Sequence, residues 1–199
     1  MSPQEGSSVP PAPSGFRFSS GRLCLDLAAT LTDRGGQAVE LLARPSDLGA
    51  WLHQAGLLDR PPSVDTAQLQ EARRLREAVA GSALATARGE RLPPTDVDRI
   101  NRGARYPVVP LLDPETGTVV FDAPRKVEGA FGRIARDAVD LLGGEERSRV
   151  KVCARPGCGA LFVDRTRTGS RRWCSMATCG NRVKVATYRG KAAAGPGSR

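Results

Sequence analysis

The chain has 199 residues, of which 40% are hydrophobic and 26% charged. These are the proportions of a soluble globular protein, and no apolar run approaches the roughly 18–20 residues of a membrane helix. The formal charge is +9, and it is unevenly spread. From Arg147 onward there are 13 Lys+Arg and one acid, Asp164, against 17 Lys+Arg and 20 Asp+Glu before it. That asymmetry predicts two units, the second facing a polyanion.

Residues 1–14, rich in Pro, Ser and Gly, have little to bury and are expected to be disordered. They lack the basic and apolar regions of a secretory signal, so the expected address is the cytoplasm. In FRFSSGRLCLDLAATL, leucines 23, 25 and 27 alternate with Cys24 and Asp26. The period is strand-like, although its Ala-Ala-Thr-Leu end suits a helix start equally. Ser46 is the expected N-cap of a helix whose apolar face is Leu48, Trp51, Leu52 and Ala55, ended by Gly56. A longer helix is predicted over 66–87. Leu69, Ala72, Leu75, Val79 and Ala83 face inward, and Arg73, Arg74, Arg76 and Glu77 face out. Pro93-Pro94-Thr95 opens a helix carrying Val97 and Ile100. VVPLLDPETGTVVFD reads as a β-hairpin, and residues 126–142 as a last body helix stopped by Gly143-Gly144.

The segment CARPGCGALFVDRTRTGSRRWCSMATCGNR holds two Cys-x4-Cys pairs 15 residues apart: Cys153 and Cys158, then Cys174 and Cys179. Four soft thiolates fill the tetrahedral shell of one zinc ion. Glycines beside each pair let the backbone curl around a metal. A disulfide use is disfavoured by the reducing address, and a redox use by the spacing. A catalytic metal would need an open position and an acid–base partner, but the single His53 lies far away in sequence. The expectation is therefore one structural zinc per chain, with Cys24 a buried core thiol.

Residues 150–152 and 160–163 read as short strands, 164–170 as a polar turn, and the stretch from about Ala177 as a helix. Candidate phosphate contacts are Arg165, Arg167, Arg171 and Arg172 from the loop, with Arg182, Lys184, Arg189 and Lys191 from the helix. Tyr188 is placed to pack on sugar or base. Trp173 reads either as packing on the metal site or as a stacking platform.

These residues resemble the CGNR zinc finger, whose signature is Cys179-Gly180-Asn181-Arg182. GRLCLDLAATL, RPSDLGAWLHQAGLL, ARRLREAV and IARDAVDLL resemble the ABATE domain that precedes it in bacterial proteins. The resemblance implies a stress-related transcription regulator with a C-terminal DNA-binding finger, ligated by the four cysteines. The expected architecture is α+β: a predominantly helical N-terminal domain (15–144) with a small β-hairpin, then a small treble-clef-like four-cysteine zinc finger (147–191) and a disordered tail (192–199).

The expected partner is duplex DNA, placing the protein at the nucleoid; RNA or a ribosome is the alternative. The body shows no nucleophile–base pair and no phosphate-binding glycine loop, so no enzymatic activity is expected; a body with small-molecule binding or enzymatic activity is the alternative. Arg17, Arg22 and Asp26 form a candidate pocket for a small effector; the alternative for them is a salt-bridge cluster. Failing an effector, the body is expected to serve as a homodimerisation scaffold.

Overall fold

The computed structural model describes residues 15–193, the last six by backbone alone. The expected disorder of 1–14 and of 194–199 lies outside the described residues. Ala192 and Ala193, assigned above to the tail, belong to the last helix.

The body is built on helix α3 (Thr66–Arg88), which begins in a reciprocal cap. Asp65 accepts from the Gln68 N–H at 2.7 Å and Gln68 returns the bond to the Asp65 N–H at 3.0 Å. The helix stops at Gly89 in the left-handed region, φ 70°. Around it pack α1 (Leu23–Ala28), α2 (Pro45–Gln54), α4 (Pro94–Ala104) and α5 (Lys126–Gly143). Two short antiparallel hairpins complete the body. One pairs β1 (Leu31–Thr32) with β2 (Val39–Glu40), and the other pairs β3 (Val109–Leu112) with β4 (Val119–Asp122).

Three local expectations are corrected. Residues 23–28 form a helix, not a strand. Cys24, Leu25, Leu27 and Ala28 are all buried, so the segment is enclosed on most sides and its alternation carries no information on period. Its first turn is capped from α5, where Asp137 accepts from the Cys24 N–H at 2.8 Å. The cap of α2 is not Ser46: Pro45 takes the first helical position, and the buried Asp47 reaches back to the Arg44 N–H at 2.8 Å. Finally, Arg76 faces inward at 4% exposure. Strand β2 carries Glu40 over α3, and Glu40 holds the Arg76 fork with bonds of 2.6 and 2.7 Å.

After Gly144 a single 3-10 turn (Glu145–Arg149) leads into a third hairpin, β5 (Val150–Val152) with β6 (Leu161–Val163). Its two faces are divided. Val150, Leu161 and Val163 are part of the body's core, whereas Phe162, between the last two, packs with the four cysteines. The C-terminal segment therefore borrows its apolar support from the body. A helical turn (Met176–Gly180) and helix α6 (Asn181–Ala193) end the fold.

Candidate metal centre and cationic surface

The first ligand pair is the turn of the β5–β6 hairpin. The Cys153 N–H bonds the Ala160 carbonyl at 2.8 Å, and the Cys158 N–H bonds that of Arg155 at 3.1 Å. Gly157 and Gly159 take left-handed conformations, φ 77° and 64°. A Cβ at Gly159 would stand 3.0 Å from the Arg34 Cβ and the Gly35 nitrogen, so the β1–β2 loop lies directly on this knuckle. The second pair brackets the turn after Trp173. Ser175 caps it by accepting from the Thr178 N–H at 3.3 Å, and the turn swings Cys179 back toward Cys174.

The four sulfurs converge. Cys158 lies 3.8 Å from Cys174 and 3.6 Å from Cys179, and Cys174 lies 3.5 Å from Cys179. All four sulfurs sit within 4.8 Å of one another, and all four cysteines are buried. A tetrahedron of sulfurs about 2.3 Å from a zinc ion has edges of about 3.8 Å, so the cage has the right size. The donors are also of the right kind, because four buried thiols this close cannot all ionise alone. Hydrogen bonds from Cys174 and Cys179 favour the Cys158 thiolate, while that charge and burial push Cys174 and Cys153 up. A divalent cation removes the conflict. With four protein ligands the shell is closed, so the site is structural.

Two charged contacts brace the cage. Arg155 donates from Nε to the Cys179 sulfur at 3.2 Å, and its other arm bonds Asp33 of the β1–β2 loop. Asp164, fully buried, accepts from Lys151 at 2.8 Å, from the Thr166 hydroxyl at 2.6 Å, and from the N–H groups of Thr166 and Arg171. These donors hold its carboxyl well below the usual range and fix the loop 164–171.

The ABATE family model, described as "Putative stress-induced transcription regulator", matches residues 21–145. The CGNR zinc-finger model matches residues 149–192, including all four cysteines. The chain belongs to the ABATE family and carries a CGNR zinc finger. Neither family is described as enzymatic. No curated protein matches the chain. Among the described residues no helix is long and apolar enough to cross a membrane.

On the CGNR finger the arginines fall into two groups. Arg165 holds Glu146 by a fork of 2.6 and 3.0 Å. Arg171 lies 4.5 Å over the Phe162 ring and donates to the carbonyls of Trp173 (2.9 Å) and Cys174. Both guanidiniums are already occupied. Arg167, Arg172, Arg182 and Lys184 are exposed and enter no ion pair among the described residues. Arg172 sits 5.3 Å from the Trp173 ring, whose other surroundings are the cysteine cluster. Tyr188, Arg189 and Lys191 follow on the backbone of α6; their side chains lie outside the described residues.

In the ABATE body Arg22 and Asp26 line one open crevice together, and Arg17 lies elsewhere. Arg22 is saturated by Asp137 (2.8 Å), Asp140 (2.6 Å) and Glu146 (3.0 Å). Asp26 accepts from the Ser20 N–H at 3.1 Å. Arg17 lines a different, 40 Å³ crevice between the body and Cys158. Sequence reasoning missed the roles of Arg155, Asp33 and Glu146. For Arg155 there was a signal, a cation inside a ligand pair; for the other two the partners are 122 and 19 residues away.

Proposed function

We propose that the protein is a zinc-finger transcriptional regulator that grips duplex DNA with the cationic face of its CGNR finger, at the nucleoid. Its ABATE body would sense a ligand or pair two copies. The observation that carries this reading is the disposition of charge. The finger's one acid, Asp164, is buried and consumed internally, while Arg167, Arg172, Arg182 and Lys184 remain exposed on a loop and helix fixed by the metal cage. A surface of guanidiniums without counter-charges suits phosphate, and Arg172 beside Trp173 suits a base edge or sugar.

Binding that rests on phosphate contacts releases counterions. With roughly six phosphates neutralised, log K should fall against log[salt] with a slope of about −5. Fluorescence anisotropy of the zinc-loaded full chain on duplex DNA between 50 and 200 mM NaCl measures it; a slope near zero refutes the reading. Competition with structured RNA in the same assay identifies the preferred polymer.

A further inference from the structure

The buried and half-buried arginines of the body are otherwise neutralised by carboxylates. Arg22 has three, Arg34 has Glu77, Arg76 has Glu40 and Glu77, and Arg99 has Glu71. Arg133 on α5 has none among the described residues. Its guanidinium lies 3.7 Å over the face of Phe121, and among the described residues its only hydrogen bond is a long one, Nη1 to the Leu57 carbonyl at 3.4 Å. Burial without a compensating anion pulls its pKa below the usual value. Stacking uses the face of the guanidinium and leaves its edge, and the Nε and Nη2 groups on that edge have no partner among the described residues.

Arg133 lines a cavity of about 180 Å³, closed on one side by the loop after α2 and on another by the base of the β3–β4 hairpin. Leu57, Val108 and Val119 contribute aliphatic side chains, more of the exposed wall is polar than apolar, and the floor is the first two turns of α5. Lys126, at the start of that helix, adds a second cation, and Asp59 is the one acid, so the lining carries a net positive charge. The positive end of the α5 dipole is at the same place. Gly129 suits this close approach: a Cβ on it would stand 2.5 Å from the Ala123 Cβ, well inside van der Waals contact, so the hairpin base or the helix would have to shift.

We propose that this cavity binds a small organic carboxylate. The Nε–Nη2 edge of Arg133 holds the carboxylate and the aliphatic side chains of the wall take the apolar portion. By volume alone, a cavity of about 150 Å³ accommodates a benzene ring, so a compact monocarboxylic acid with a small aromatic or branched portion is of the size that fits. The site is distinct from the Arg17, Arg22 and Asp26 positions and does not depend on nucleic-acid binding by the finger.

The test is titration of zinc-loaded full-length protein with sodium benzoate and sodium isovalerate, followed by amide and Arg Nε NMR shifts. Benzamide serves as the neutral isostere. At least one acid should shift Phe121, Gly129 and the Arg133 Nε resonance. Benzamide and the Arg133→Met variant should each bind roughly tenfold or more weakly, the loss expected for a charge-assisted bidentate contact. Arg136→Met, one turn away on the exposed side, should bind as the parent does. No shift at the cavity with either acid at 20 mM (about the weakest affinity of interest) overturns the proposal. So does equal binding of benzoate and benzamide, a comparison that stands even if Arg133→Met fails to fold.

Discussion

Arg155 Nε lies 3.2 Å from the Cys179 sulfur, and the same guanidinium is tied to Asp33 in the ABATE body. The cation thus does two things. It spreads the negative charge of the sulfur cage, and it fastens the first knuckle to the β1–β2 loop. Both carboxylate and sulfur raise the Arg155 pKa further, so it stays charged throughout. Outer contacts of this kind are worth about 10–100-fold in metal affinity. Arg155→Met should therefore speed zinc transfer to a chromogenic chelator by a factor in that range, with the cysteines unchanged. Asp33→Asn should do so less, because it leaves the sulfur contact in place.

Strand β6 presents Leu161 and Val163 to the body core and Phe162 to the cysteines. A strand shared in this way couples the two parts, so the chain should unfold in one transition. Leu161→Ala should cost about 2–5 kcal/mol. The loss should appear together in the fluorescence of the buried Trp51, read in a Trp173→Phe background, and in zinc retention. Chelation alone should lower the Trp51 melting temperature. Two separated transitions would show that the finger folds independently of the body.

The parts of this architecture that were legible in the sequence are those set by local chemistry. The long helix from Thr66, the stop at Gly56, the hairpin turn at Asp113–Gly117 and the two Cys-x4-Cys pairs each carry their signal within a few residues. What was not legible depended on distant chain. Arg76 sits at a helix position that reads as exposed, and only the arrival of Glu40 makes its burial tolerable. Residues 23–28 read as a strand because α3 and α5 cover them on several sides. Arg165 and Arg171 looked like their neighbours Arg167 and Arg172 until Glu146 and Phe162 were in place.

Glu146 lies under Arg165 and Arg22, whose hydrogen bonds hold its carboxyl down to about 2 from the ordinary 4.5. A depressed carboxylate contributes stability that is present above its unfolded value and is lost as pH falls through the folded one. The window is therefore from about pH 4.5 down to about 2. The side chain is 27% exposed, so solvent screening limits the contribution to about 1 kcal/mol. The stability gap between the parent and Glu146→Gln should be constant from pH 7 to 5 and close below 4.5 in urea titrations. Acid also removes zinc, but it does so from both proteins, and that loss cancels in the difference. A gap unchanged at pH 2.5 would mean that the ion pair contributes nothing.

The division of the finger's arginines gives the sharpest test of the nucleic-acid reading. Arg167, Arg172 and Arg182 are exposed and unpaired among the described residues, so replacing any one with Ala should leave stability within about 0.5 kcal/mol. Each replacement should also reduce the salt slope of DNA binding by about 1. Arg171 supports the carbonyls of Trp173 and Cys174 and covers Phe162, so Arg171→Ala should cost about 1–3 kcal/mol of stability. At a temperature where that variant remains folded and zinc-loaded, its salt slope should match the parent's. Paired anisotropy and melting measurements on the four variants separate the groups. If folded Arg171→Ala loses as much slope as Arg172→Ala, the guanidinium leaves its internal partners to meet phosphate, and the contact surface extends onto the metal cage itself.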